Sequence, residues 1–217
     1  MKRAIPIVPT IIVVLAALLM VRLGVWQLQR LHEKEQLIAR YAANQVKPPI
    51  PFVALFPVND DSLYRRTSAF CLNVVSWKTE AGRSADGTPG WRHIASCRTG
   101  AEGPGIAVDM GVSGDSSPPN WKGGPVGGRL TWLPDNQPLV GRLFRTPDAR
   151  SPMIVSDTAA PGLKSTIQPN PADIPNNHLS YAVQWFLFAA IALIIYGVAL
   201  WQRAKKSNRH SRERGNP

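Results

Sequence analysis

The sequence predicts a membrane protein in which two transmembrane helices flank a β-rich (α+β) extracytoplasmic domain. Three observations carry this prediction. Apolar runs of span length lie near both ends of the 217-residue chain. The stretch between them is polar and breaks into short apolar segments bounded by Gly, Pro, Asp and Ser. Positive charge is concentrated outside the runs: the chain carries +11 overall, whereas residues 27–178 hold sixteen Lys/Arg against thirteen Asp/Glu. A nucleic-acid binder would interleave dense basic charge with aromatics in its folded part. The middle does not, so no nucleic-acid partner is expected and the charge is read as membrane topology.

Residues 1–4 form a short basic start. Residues 5–26, IPIVPTIIVVLAALLMVRLGVW, form the first span. Twenty-two helical residues cover about 33 Å, enough for a hydrocarbon core of about 30 Å. Pro6 and Pro9 fall in the first turns, where a missing N–H costs least. A signal peptide would also begin Met-Lys-Arg, but no A-x-A-like cleavage site follows the run, and an uncleaved anchor is expected. The helix is expected to continue over 27–44, where Leu31, Leu37, Ile38 and Tyr41 make an apolar stripe. Lys47-Pro48-Pro49-Ile50-Pro51 stops it.

Strand-like segments follow at Phe70–Trp77, Trp91–Arg98, Ile106–Met110, Gly128–Leu133, Leu139–Phe144 and Met153–Val155. Gly82–Gly90, Gly100–Gly105 and Gly114–Gly128 read as loops. Within the last, the Gly123–Gly128 run lacks the Lys-Thr pair and helix of a phosphate loop and reads as a flexible turn. The domain is expected to be an open barrel or folded sheet. Residues 179–201 form the second span, uncharged from Tyr181 to Trp201 and with aromatics at both ends. Residues 202–217 form a basic tail. Lys2 and Arg3 precede the first span, and Arg203, Lys205, Lys206, Arg209, Arg212 and Arg214 follow the second. The positive-inside rule then places both termini in the cytoplasm and residues 27–178 in the periplasm of a bacterial inner membrane. That compartment is oxidising, and the two cysteines, Cys71 and Cys97, either pair or stay free.

No hydrolase, metalloprotease or redox-thiol motif occurs. His93 reads as structural or exposed. The chemistry-bearing residues gather where the spans leave the outer face. Arg22, Trp26 and Arg30 are spaced i, i+4, i+8 and drift by about 40° per step, so they share one side of the first helix. An arginine as deep as Arg22 needs to snorkel or to find an anion. His178, Tyr181 and Trp185 stand at i, i+3 and i+7 on the second helix, with Asn176 and Asn177 as candidate caps. A neutral imidazole is a common haem ligand, aromatics can stack on a porphyrin, and arginines can pair with propionates. An interfacial histidine with no ligand is the competing reading. His32 is a weaker candidate for a second ligand.

Leu23-Gly24-Val25-Trp26-Gln27-Leu28, with Arg30, Leu31, Lys34 and Leu37-Ile38, resembles the first-span signature of the surfeit locus protein 1 family. Asn176-Asn177-His178-Leu179-Ser180-Tyr181-Ala182, with Gln184-Trp185-Phe186 and Ala189, resembles its second-span signature. The resemblance implies a non-enzymatic assembly factor for haem-copper cytochrome c oxidase. Its implied cofactor is haem a, with haem b the competing cargo, bound at the outer membrane surface for insertion into the oxidase catalytic subunit. By the same resemblance His178 is the iron ligand, and Trp185 and Trp26 line the site. Partners implied are the catalytic subunit, haem a synthase and membrane lipid. The alternative is a membrane scaffold that holds an oxidase subunit without binding haem. The family's V-x-R-G-W-V-P strand is matched only by Val108-Asp109-Met110-Gly111-Val112, which keeps the glycine but not the arginine or tryptophan.

Overall fold

A computed structural model describes residues 6–101, 103–134 and 150–213, the side chains of 207–213 excepted. It divides into two compact units, Met1–Gln36 with Pro175–Pro217, and Leu37–Ile174.

The first unit is an antiparallel pair of long helices, α1 (Ile7–Gln45, through residue 36) and α2 (His178–Glu213). Three cross-helix contacts fix the pairing. The Thr10 and Tyr196 hydroxyls are hydrogen-bonded, Gly24 lies against the Phe186 ring, and Gln27 meets His178. The buried positions of the seam are small: Ala17 and Gly24 on α1, Ala182 and Ala189 on α2. In each helix the two are seven residues apart, two turns along one face. Thr10, Val13, Met20, Gln27 and Leu31 are half-buried between or beside them, which makes the α1 seam a near-heptad repeat. Small residues let two backbones approach closely, the usual means of helix association where no hydrophobic effect operates. A Cβ at Gly24 would stand 2.6 Å from Phe186 Cε1, so no side chain fits there without displacing the ring. Around this seam the apolar residues face outward. Ile11, Ile12, Leu15, Leu18 and Leu19 are 52–61% exposed, and Leu187, Phe188, Ile194 and Ile195 are similarly bare. Both helices are long and apolar enough to cross a membrane. Lipid, not water, is the solvent that such a surface tolerates.

The second unit begins with the last turns of α1. Tyr41 is buried and stacks on Tyr64 with ring centroids 4.8 Å apart. Asn44 Nδ2 donates to the carbonyl oxygens of Asp61 (2.7 Å) and Leu63 (2.9 Å), tying the helix end to the following loop. Seven strands form one mixed sheet: β1 (Ile50–Pro51), β2 (Arg66–Cys71), β3 (Asn73–Arg83), β4 (Pro89–Arg98), β5 (Ile106–Ser113), β6 (Gly124–Trp132) and β7 (Pro152–Ser156). Their order is β1-β2-β6-β7-β5-β4-β3. The β1–β2 and β5–β7 pairs are parallel and the others antiparallel. Although β2 and β3 follow each other in the chain, they lie five places apart in the sheet order, with β3 at its edge. The sheet curls until those parts meet: Leu72 N donates to Arg98 O at 2.8 Å, and Cys71 and Cys97 form a disulfide with Cα atoms 5.3 Å apart. The enclosed face holds the main core of Phe52, Leu63, Cys71, Cys97, Val108, Met110, Leu130 and Ile154. Ile94, Met153 and Val155 form a smaller cluster.

Two long apolar helices flank a mixed sheet domain, as the sequence predicts, and local expectations change in two places. Phe70–Trp77 is not one strand. It turns a corner at Leu72, where β2 ends and β3 begins. The run Gly124–Gly128 is not a turn but the first half of β6, paired with Cys71, Phe70, Ala69, Ser68 and Thr67 of β2. Gly128 permits close approach rather than flexibility, since a Cβ there would lie 1.9 Å from Val155 O. The two cysteines, free to take either state by sequence alone, are paired. Leu139–Phe144 lies outside the described residues.

Candidate functional site

His178 is the first residue of α2. The preceding carbonyl, Asn177 O, accepts from Tyr181 N at 3.3 Å and starts the helix. The expected side-chain cap is replaced by a different arrangement: Asn177 is exposed, and the Asn176 Oδ1 atom is buried with no hydrogen-bond partner. The His178 ring turns into the helix seam, where Nδ1 lies 2.7 Å from Gln27 Oε1. An amide oxygen can only accept, so Nδ1 carries the hydrogen and donates it. A neutral imidazole in that tautomer keeps its free lone pair on Nε2.

Helix periodicity arranges the other candidates around this pair. Trp26 and Arg30 flank Gln27 on one side of the α1 seam position. In an antiparallel pair, Tyr181 falls on the same side of α2. Trp26 and Tyr181 are 41% and 51% exposed, so both present ring surface outward. Arg30 lies over the Trp26 ring, 5.9 Å from its centroid, and its Nη1 donates to Glu33 at 2.8 Å. Trp185 is half-buried one seam repeat below His178 and meets Phe188 edge-on at 6.2 Å. Arg22 does not join the group. It is exposed on the outward side of α1, farther from the seam than Trp26, in keeping with a snorkelling arginine. His32 is also apart, its side chain 74% exposed and 3.9 Å from Glu35. Among the described residues no group of three or more His, Cys, Asp or Glu could hold a bare metal ion.

Gln27 is the residue that sequence reasoning misses. The signal available was its position: it is a polar member of the same α1 stripe that contains Ala17, Met20 and Gly24, seen only once that stripe is recognised as a helix seam.

The polar residues of the sheet domain do structural work. Asp109 is buried, Arg92 Nε lies 2.8 Å from its Oδ2, and Thr166 Oγ1 donates to its Oδ1 at 2.7 Å. Burial pushes the Asp109 carboxyl above the usual carboxylate range, with the Arg92 guanidinium opposing the shift. Glu80 Oε1 adds a second contact to Arg92 at 3.6 Å. His93 is fully buried and its Nε2 is shared between Ser113 Oγ (2.9 Å) and Asp115 O (3.1 Å), as a structural histidine would be.

Compared with known proteins, residues 14–190 match the model of the SURF1 family. The match runs from within the apolar part of α1 through the sheet to Ala190 on α2, and so takes in both halves of the Gln27–His178 pair. No curated protein matches the chain.

Proposed function

The chain belongs to the SURF1 family, a family of assembly factors associated with cytochrome c oxidase, and from that premise we propose that it carries haem a at the outer membrane surface for insertion into the oxidase catalytic subunit. The observation that carries this reading is the state of His178. Its Nδ1–H is held by Gln27, its Nε2 lone pair is left over, and Trp26 and Tyr181, on the adjoining turns of the two helices, expose ring surface. A planar, apolar macrocycle whose iron lacks an axial donor is the cargo that such a set accepts. Trp26, Tyr181 and Trp185 supply apolar surface to the ring. Arg30 is the arginine placed to meet a propionate, exchanging its exposed contact with Glu33 for a second anion. A single protein ligand also suits a carrier, because release to an acceptor requires that the bond be exchangeable.

Haem a synthase would be the donor and the catalytic subunit the acceptor, with haem b the competing cargo. In this reading residues 27–178 lie on the periplasmic side and both termini in the cytoplasm, as the flanking charges require.

The test is purification from cells that make haem a. The wild-type protein should carry stoichiometric haem with a single Soret band, and His178→Ala should lose most of it. Full haem content and an unchanged Soret band in His178→Ala would exclude His178 as the ligand. Wild-type protein that stays colourless in abundant haem a, yet co-purifies with the catalytic subunit, would instead establish a scaffold.

A further inference from the structure

The Gln27–His178 contact joins residues 151 positions apart and ties the two helices together across the seam. Resting on the reading of His178 as the haem ligand, we propose that Gln27 is a positioning residue that fixes the His178 tautomer, and thereby selects Nε2 as the metal donor and moderates its strength.

The chemistry follows from what an amide can and cannot do. A metal-ligating histidine generally donates its second ring N–H to an acceptor that fixes its tautomer and plane, and removal of that acceptor lowers metal affinity by roughly 10–100-fold. A carboxylate acceptor would draw the Nδ1 proton strongly, raise the basicity of Nε2 and tighten the metal bond. It would also place a charge at the edge of an apolar zone, which is costly. The neutral Gln27 amide supplies orientation without that charge. It fixes the ring while leaving the ligand only moderately basic, which is what a carrier that must give up its cargo requires.

The position of Gln27 is itself secured. Gly24, one turn earlier, brings α1 against Phe186, where a side chain would displace the ring. Ala182, one turn after His178, is fully buried in the same seam. The small residues set the helix separation, and that separation sets the 2.7 Å contact. Arg30, on the next turn, bonds Glu33, and the next seam position after Gln27 is the apolar Leu31.

Two measurements test the proposal. The first needs no haem. In detergent-solubilised full-length apo-protein with ¹⁵N-labelled histidine, the wild-type His178 should show a protonated Nδ1 and an unprotonated Nε2. Gln27→Leu should shift it toward a mixture of tautomers, with an unchanged helical circular dichroism spectrum. The second uses protein purified from cells making haem a. Gln27→Leu should bind haem roughly 10–100-fold more weakly. Gln27→Glu, which keeps an acceptor, should restore binding, slow haem dissociation and raise the iron–histidine stretching frequency. An apo-protein protonated on Nε2 would overturn the inference, as would Gln27→Leu with wild-type affinity and spectrum. Because His178→Ala is measured alongside, the two failures separate: haem loss in His178→Ala with none in Gln27→Leu refutes the role of Gln27 alone, whereas haem retention in His178→Ala refutes the ligand assignment.

Discussion

At the scale of single residues, the sheet domain rests on a buried ion pair whose consequences can be measured. Asp109→Ala leaves Arg92 and Thr166 without their shared partner and should destabilise the domain by about 3 kcal/mol, read by urea denaturation. Asp109 also predicts a pH dependence. Its folded-state carboxyl is raised by burial above its unfolded value. The folded state therefore holds the proton more tightly, and this group's contribution is present below the unfolded pKa and declines as pH rises through the folded one. Asp109→Asn should flatten that decline in denaturation midpoints taken from pH 4 upward. Residue-level function was unevenly legible. His178 and Trp26 stand out in the sequence because a histidine and a tryptophan at the mouth of an apolar span are conspicuous. Gln27 is not, because glutamine is ordinary on an interfacial helix, and its role exists only through a partner 151 residues away.

At the scale of elements, the helix seam and the curled sheet each make a prediction. Gly24→Val should overpack the seam against Phe186 and weaken helix pairing by about 1–3 kcal/mol in reversible unfolding from mixed micelles. Phe186→Ala in the same chain should recover part of the loss, since it removes the atoms that the valine meets. In the sheet, the Cys71–Cys97 bond closes a separation of 26 residues, and the paired substitution Cys71→Ser/Cys97→Ser should cost about 3 kcal/mol. Both helices were legible because an apolar run of span length has few places to go except a bilayer. The β2–β3 corner was not: Phe70–Trp77 is uninterrupted by Gly or Pro, and the chain turns at Leu72 because the sheet curls, which is a tertiary demand. The Gly124–Gly128 strand was hidden for a related reason. Glycine ordinarily argues against a strand, and here it is required by the closeness of Val155 on β7.

For the whole molecule, topology is the first thing to check. A reporter active only in the periplasm, inserted between Gly114 and Asn120, should be functional, and one active only in the cytoplasm should be functional at the C-terminus. The opposite pattern would reverse the orientation and move His178 to the inner face. Beyond topology, both ends of the sheet domain are anchored on one core, since Leu37 and Ile174 pack against the same buried cluster. That arrangement bears on how the two helices find each other. If the roughly 150 residues between Gln27 and His178 were a free coil, closing the loop would cost about 4 kcal/mol in chain entropy. A folded domain with both ends tied to one core has already met most of that cost before α2 is made. Domain folding therefore favours the pairing of the imidazole with its partner, which also requires the second helix to be made. Order of synthesis becomes a form of quality control: an incomplete or misfolded chain leaves His178 and Gln27 on separate, unpaired helices.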